Sequence, residues 1–132
     1  MNPIFWLRIG AVVGGLGVVL GAFGAHGLKE RLSPYSLEIF ETAVRYQMYH
    51  APALLAVGLI GVLGRGEMAL NLAGGSFTLG ILIFSGTLYA LSVTDIKWLG
   101  AITPIGGLFL IFGWIALAVA AGSVGKGIAV EV

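Results

Sequence analysis

Charged residues break the chain into four long apolar stretches. The first runs from about Ile4 to Gly24 with only Arg8 inside it, and the second, Tyr46 to Gly64, carries no charge over 19 residues. A third lies between Met68 and Thr94 and a fourth between Trp98 and Gly125. A bilayer's hydrocarbon is crossed by about 20 residues of helix. The runs are continuously apolar, without the alternation of a lipid-facing strand, so helix is expected rather than barrel. The pattern predicts four transmembrane helices at about 4–24, 46–64, 69–92 and 101–122. Small residues around Ala22 to Ala25 resemble a signal-peptide cleavage site, but the first stretch is longer than a typical signal core, and it is expected to be retained as a span.

The connections differ. Those at Arg65-Gly66-Glu67 and Asp95-Ile96-Lys97 are tight, which forces antiparallel neighbours and an up-down bundle. The first connection takes about 20 residues and is patterned. Ser33-Pro34 reads as an N-cap followed by proline at the first helical position. Leu37, Phe40, Val44 and Met48 then share one helical face, beside a polar stripe of Glu38, Glu41 and Arg45. The reading is an amphipathic interfacial helix at about 34–46, lying on the membrane or bending directly into the second span. Residues 1–132 thus make one all-α integral membrane domain.

Composition agrees. Hydrophobic residues make up 58% of the chain and charged ones 10%; with its 22 glycines the apolar share reaches about 75%, against about 45–50% in soluble domains. A net charge of +1 without a basic run excludes a nucleic-acid partner. The absence of cysteine excludes disulfides, thiolate metal sites and c-type haem attachment. No GxSxG, P-loop, HExxH or paired-carboxylate arrangement occurs, so a non-enzyme is expected. Orientation is open: Arg8, Arg65 and Lys126 share one side, and Lys29, Arg31, Arg45 and Lys97 the other, which is no bias for the positive-inside rule to use.

Helices in lipid associate by close packing and hydrogen bonds, because the tails are as apolar as leucine. Gly10, Gly14, Gly17, Gly21 and Gly24 recur at spacings of 4, 3, 4 and 3, a stripe that suits either packing within the bundle or assembly into a homo-oligomer or larger membrane complex.

Polar groups collect at one end. His26 closes the first span and, on the boundaries above, His50 opens the second. Tyr89, Asp95 and Thr103 reach the same face from the third and fourth, and Arg45 lies beside it. Tyr46 and His50, four apart, stack on one helical face, and Asp95 is placed to orient an imidazole. Intramembrane ionisable groups are functional candidates, although tyrosine and histidine also suit an interface with no ligand at all. His26, Arg45, Tyr46, His50, Tyr89, Asp95 and Thr103 form the candidate ligand-binding set. The occupant in view is a membrane lipid or quinone headgroup; bis-histidine haem and proton handling rank lower, and no metal or resident cofactor is expected. Trp6, Trp98 and Trp114 read as interfacial anchors or packing residues.

Four segments carry a family resemblance: GAFGAHGL at Gly21–Leu28, FETAVRYQMYHA at Phe40–Ala51, FSGTLYAL at Phe84–Leu91 and ITPIGGLFLIFGW at Ile102–Trp114. They resemble the small four-span proteins of the YgdD/YwdK type, catalogued as domain of unknown function 423, to which the animal transmembrane protein 256 is related. The resemblance implies a multi-pass membrane protein, of the inner membrane in bacteria, and marks Gly24, His26, Gly27, Tyr46, His50, Tyr89, Thr103, Pro104, Gly106 and Gly107. It implies no activity. The expectation is a non-enzymatic accessory or scaffold subunit packed through glycine faces, with a headgroup binder at His26/Tyr46/His50 as the alternative and a small transporter or proton pathway as the weaker one.

Overall fold

The computed structural model describes residues 1–130, without the side chains of 128–130. It is all helical over that range: α1 (Pro3–Phe23) runs into a π-helical turn (Gly24–Leu28), followed by α2 (Pro34–Val62), α3 (Glu67–Thr94) and α4 (Leu99–Val130). Local chemistry sets the starts. Asn2 accepts a hydrogen bond from the Ile4 amide at 2.9 Å with Pro3 behind it, and Ser33 accepts from the Ser36 amide at 3.1 Å with Pro34 at the first position. Proline fits there because its missing N–H has no intrahelical acceptor to lose. Gly64 and Gly66, at φ near +70°, make the turn between α2 and α3.

Each long helix packs chiefly on the next. Along α1 and α2 the antiparallel register reads off the glycines: Gly10 meets Leu55, Gly14 Ala51, Gly17 Met48, Gly21 Val44 and Gly24 Phe40. All five residues of the stripe therefore face α2. Gly58 of α2 answers by receiving Leu7. A second zipper joins α3 and α4, where Gly80 receives Leu110, Gly106 receives Phe84 and Gly113 receives Phe77. Trp6 crosses from α1 to lie on Gly74 of α3, and it joins Leu54, Val57, Leu70, Phe77 and Leu110 in the core. Large side chains such as Val18, Leu82 and Leu108 stay exposed on the outer helix faces, where a soluble protein would expose polar ones.

One expected boundary changes. No separate interfacial helix exists at 34–46, because those residues continue without a break into α2. The apolar face made by Phe40 and Val44 is not turned to lipid; it packs on Gly24 and Gly21. Three segments are long and apolar enough to cross a membrane: Pro3–Leu28, Glu67–Thr94 and Leu99–Gly127. α2 falls outside that set because Tyr46, Gln47, Tyr49, His50 and Pro52 occupy its middle.

The glycines differ in what a methyl group would meet. A Cβ on Gly106 collides with the Phe84 backbone, whose Cα is 2.8 Å away, whereas one on Gly86 meets nothing. Gly106→Ala is therefore expected to cost about 1–3 kcal/mol through overpacking. Gly86→Ala is expected to be neutral or to stabilise by up to about 1 kcal/mol through helix propensity. Denaturant unfolding in detergent reads both.

Candidate functional site

The polar residues that keep α2 from looking like a span are the ones that tie the molecule together. Ala43, Gln47, His50, Leu54 and Val57 recur at helical spacing and are all buried. Gln47 sits at the meeting point of three helices. Its Nε2 donates to the Val13 carbonyl of α1 at 2.9 Å, and its Oε1 accepts from the Tyr89 hydroxyl of α3 at 2.7 Å. One helical turn away, Ser85 of α3 donates to the Ala43 carbonyl at 2.7 Å.

His50 joins the fourth helix. The Trp114 indole N–H donates to His50 Nε2 at 3.1 Å, so the imidazole proton belongs on Nδ1. That nitrogen donates to the Tyr46 carbonyl at 2.6 Å. The ring is a neutral imidazole with both nitrogens engaged, 5% exposed and packed between Phe77 and Trp114. Two further ties complete the set: Trp6 Nε1 to Asn71 Oδ1 at 2.9 Å between α1 and α3, and Thr87 with Thr103 at 2.7 Å between α3 and α4. Among the described residues, no buried side-chain nitrogen or oxygen lacks a hydrogen-bond partner.

The candidate set from the sequence does not gather in one place. His50 does not open a span: it lies 16 residues into α2, roughly 24 Å from the start of that helix, at mid-height in the bundle. His26 is exposed in the π-helical turn. Since Gly24 lies opposite Phe40 and His26 two residues beyond it, the two imidazoles differ in height by about twelve residues of helix, roughly 18 Å. They are too far apart to ligate one iron. Tyr46 does stack on His50, at 6.2 Å between ring centroids and 18° between planes, and it also neighbours Phe84 at 4.3 Å and Tyr49 at 5.9 Å. Tyr89 is held by Gln47, and Thr103 by Thr87.

Asp95 does not orient an imidazole. It pairs with Lys97 at 2.7 Å on a tip where both side chains are 68% exposed, and Arg45, also exposed, donates to Thr42. The physical reason is the continuity of α2, which carries His50 away from the end where the charges collect. Among the described residues no three His, Asp or Glu side chains gather around a potential metal position.

Gln47, which holds three helices at once, was not among the residues singled out from the sequence. Its signal was present: an amide three residues before His50 on the buried face, inside an otherwise uncharged apolar run. Trp114, read as an anchor or packing residue, turns its indole N–H inward.

A model described as "Protein of unknown function (DUF423)" matches residues 20–107. The chain belongs to that family. The matched segment includes Gln47, His50, Ser85 and Tyr89 but neither Trp6 nor Trp114. Relatives of this DUF423 protein include UPF0382 membrane protein YwdK of Bacillus subtilis (strain 168), 46% identical over 88% of this chain and 94% of its own. A UPF0382 membrane protein of Staphylococcus epidermidis (strain ATCC 12228) is 47% identical over 87% of this chain and 93% of its own. One of Staphylococcus aureus (strain USA300) is 49% identical over the same shares. No solved structure matches. The DUF423 chain is thus a multi-pass membrane protein of a family without a known activity.

Two measurements test the polar ties. Gln47→Leu and Tyr89→Phe, singly and together, are expected to show a coupling of about 0.6–1.7 kcal/mol in a double-mutant cycle, the range of hydrogen bonds between membrane helices. The exposed pair behaves differently. The hydrogen bond from Lys97 to Asp95 raises the lysine above its ordinary range, a contribution present at neutral pH and lost only as pH rises through that raised value. Solvent screens it. Asp95→Asn is therefore expected to leave the unfolding midpoint at pH 7 unchanged.

Proposed function

We propose that this chain is a non-catalytic scaffold or accessory subunit that crosses the membrane four times, with both termini and the Arg65 turn on one side. The observation that carries the reading is the use made of the buried polar side chains. Gln47, Ser85, Tyr89, Thr103 and Trp114 each bridge one helix to another, and His50 has no free nitrogen for a proton or a ligand. A catalytic or transport centre needs a titratable group held available; here the interior polar groups are committed to holding the fold.

Register supports the fourth crossing. α2, at 29 residues, runs beside the 26 residues of Pro3–Leu28 from Gly10 opposite Leu55 to Gly24 opposite Phe40, so a slab that α1 crosses is crossed by α2 as well. Its polar residues are no obstacle, because Gln47 and His50 face protein.

A scaffold needs an outward surface. Gly15, Gly75 and Gly86 have open space where a Cβ would stand, and Leu82 lies exposed one turn from Gly86. Such small-residue faces admit another helix closely. The headgroup binder at His26/Tyr46/His50 has less support, since His26 stands far from the stacked rings of Tyr46 and His50.

The chain lacks cysteine, which makes single-cysteine variants clean reporters. Cysteines at Asn2 and Arg65 are expected to react with an impermeant maleimide from one side of the membrane, and those at Lys29 and Lys97 only from the other. Cysteine at Gly86 or Leu82 is expected to cross-link to a discrete higher-mass species in intact membranes. A monomer at every lipid-facing position tried would overturn the scaffold role, and mixed sidedness the four crossings.

A further inference from the structure

Gln47 and His50 face protein, but α2 carries a second set of polar residues that face outward. Glu41, Arg45 and Tyr49 are exposed and recur every four residues, which places them on one side of the helix. Register fixes their depth. Gly24 lies opposite Phe40 and Gly21 opposite Val44, so Glu41 and Arg45 stand beside the last turns of α1, inside the apolar segment Pro3–Leu28. At that height the outward side chains of α1 are Val19 and Phe23, 62% and 54% exposed. Charged groups set outward at an apolar depth are costly unless they are paired or covered.

These two are not paired with each other. They are one turn apart, the spacing at which opposite charges meet on a helix. The Arg45 guanidinium instead donates to Thr42 Oγ1 at 3.0 Å, and among the described residues the one ion pair is Lys97 with Asp95. Glu41 and Arg45 border a groove of about 270 Å³ between α1 and α2, floored by Gly21, Gly24, Phe40 and Val44. Glu38 lies outside that lining, one turn nearer the helix start, toward the end where Lys29, Glu30 and Arg31 collect.

We propose that this face of α2 is the contact surface for a second copy of the chain, with Glu41 of each copy paired to the partner's Arg45 about a two-fold axis along the membrane normal. Copies inserted the same way round present like faces to each other about such an axis. A face with one charge of each sign, one turn apart, is complementary to itself. The rise between Glu41 and Arg45 is roughly 6 Å, which the long arginine side chain spans, so the pair forms twice. The groove beside Glu41 receives the partner's Arg45, and Tyr49 lies next to the axis. A lipid headgroup fits less well, because Arg45 stands level with Leu20, about eight residues or roughly 12 Å inside the end of Pro3–Leu28. The proposal rests on the four-span reading, which sets the depth of α2, and it names one partner for the scaffold. Maleimide labelling tests the crossings by themselves, so the two can fail separately.

The experiment co-expresses two differently tagged full-length copies and measures how much of one is recovered with the other from solubilised membranes. Native copies are expected to co-purify. Glu41→Arg in both copies, or Arg45→Glu in both, sets like charges against each other and is expected to lower recovery about tenfold. A Glu41→Arg copy mixed with an Arg45→Glu copy is expected to restore it, since each then meets the opposite charge on the other; that recovery also shows that both variants fold. Charges that serve only to reach headgroups would give no recovery on mixing. In the otherwise native chain, Tyr49→Cys is expected to form a disulfide-linked dimer in intact membranes, and Leu108→Cys, on the outer face of α4, to stay monomeric. Recovery unchanged by the single variants, no restoration on mixing, a monomeric Tyr49→Cys chain, or Leu108→Cys cross-linking as readily as Tyr49→Cys overturns the proposal.

Discussion

A primary amide buried between helices has no water to return to, and Gln47 answers that constraint by bonding to α1 and α3 at once. Apolar burial does not drive helices together where the surrounding solvent is itself hydrocarbon. Close contact and hydrogen bonding must do so, and α2 supplies most of the second. It reaches α1 and α3 through Gln47, α3 again through the Ala43 carbonyl and α4 through His50. The most polar of the four helices is therefore the one hydrogen-bonded to all three others.

The glycines make those bonds reachable. With Gly10, Gly14, Gly17, Gly21 and Gly24 against α2, the backbone of α1 comes near enough for its Val13 carbonyl to accept from Gln47. Gly80, Gly106 and Gly113 do the same for α3 and α4, where Thr87 and Thr103 then meet. Close approach and polar ties are coupled, since a bulky residue in either zipper would part the donor from its acceptor. The same coupling explains why His50 serves structure. Its two nitrogens are fixed by Tyr46 on its own helix and Trp114 across the bundle, so ring rotation would strand both partners.

Stability is thereby assigned to the interior. Among the described residues the buried polar side chains are all hydrogen-bonded, while charged residues sit toward the ends of the helices. The Asp95–Lys97 tip is exposed to solvent and screened, whereas Arg65 and Glu67 border a cavity that reaches the buried Trp6.

Helix class, the existence of tight turns at Arg65 and Asp95, the Ser33-Pro34 helix start and the glycine repeat of α1 were all legible in the linear chain, because each depends on local composition or on spacing along a single helix. Membership of an uncharacterised membrane family was legible too, from four short segments. The depth of His50 was not. Placing it at an interface required α2 to begin near Tyr46, and that boundary depended on whether Phe40 and Val44 faced lipid or Gly24 and Gly21, a question about a second helix. The partners of Gln47 lie 34 and 42 residues away, and the indole that caps His50 lies 64 away. Hydrophobic pattern along one strand of sequence reports which solvent a segment prefers. Which polar atoms find each other inside that solvent is decided by register between helices, and only the assembled bundle sets that.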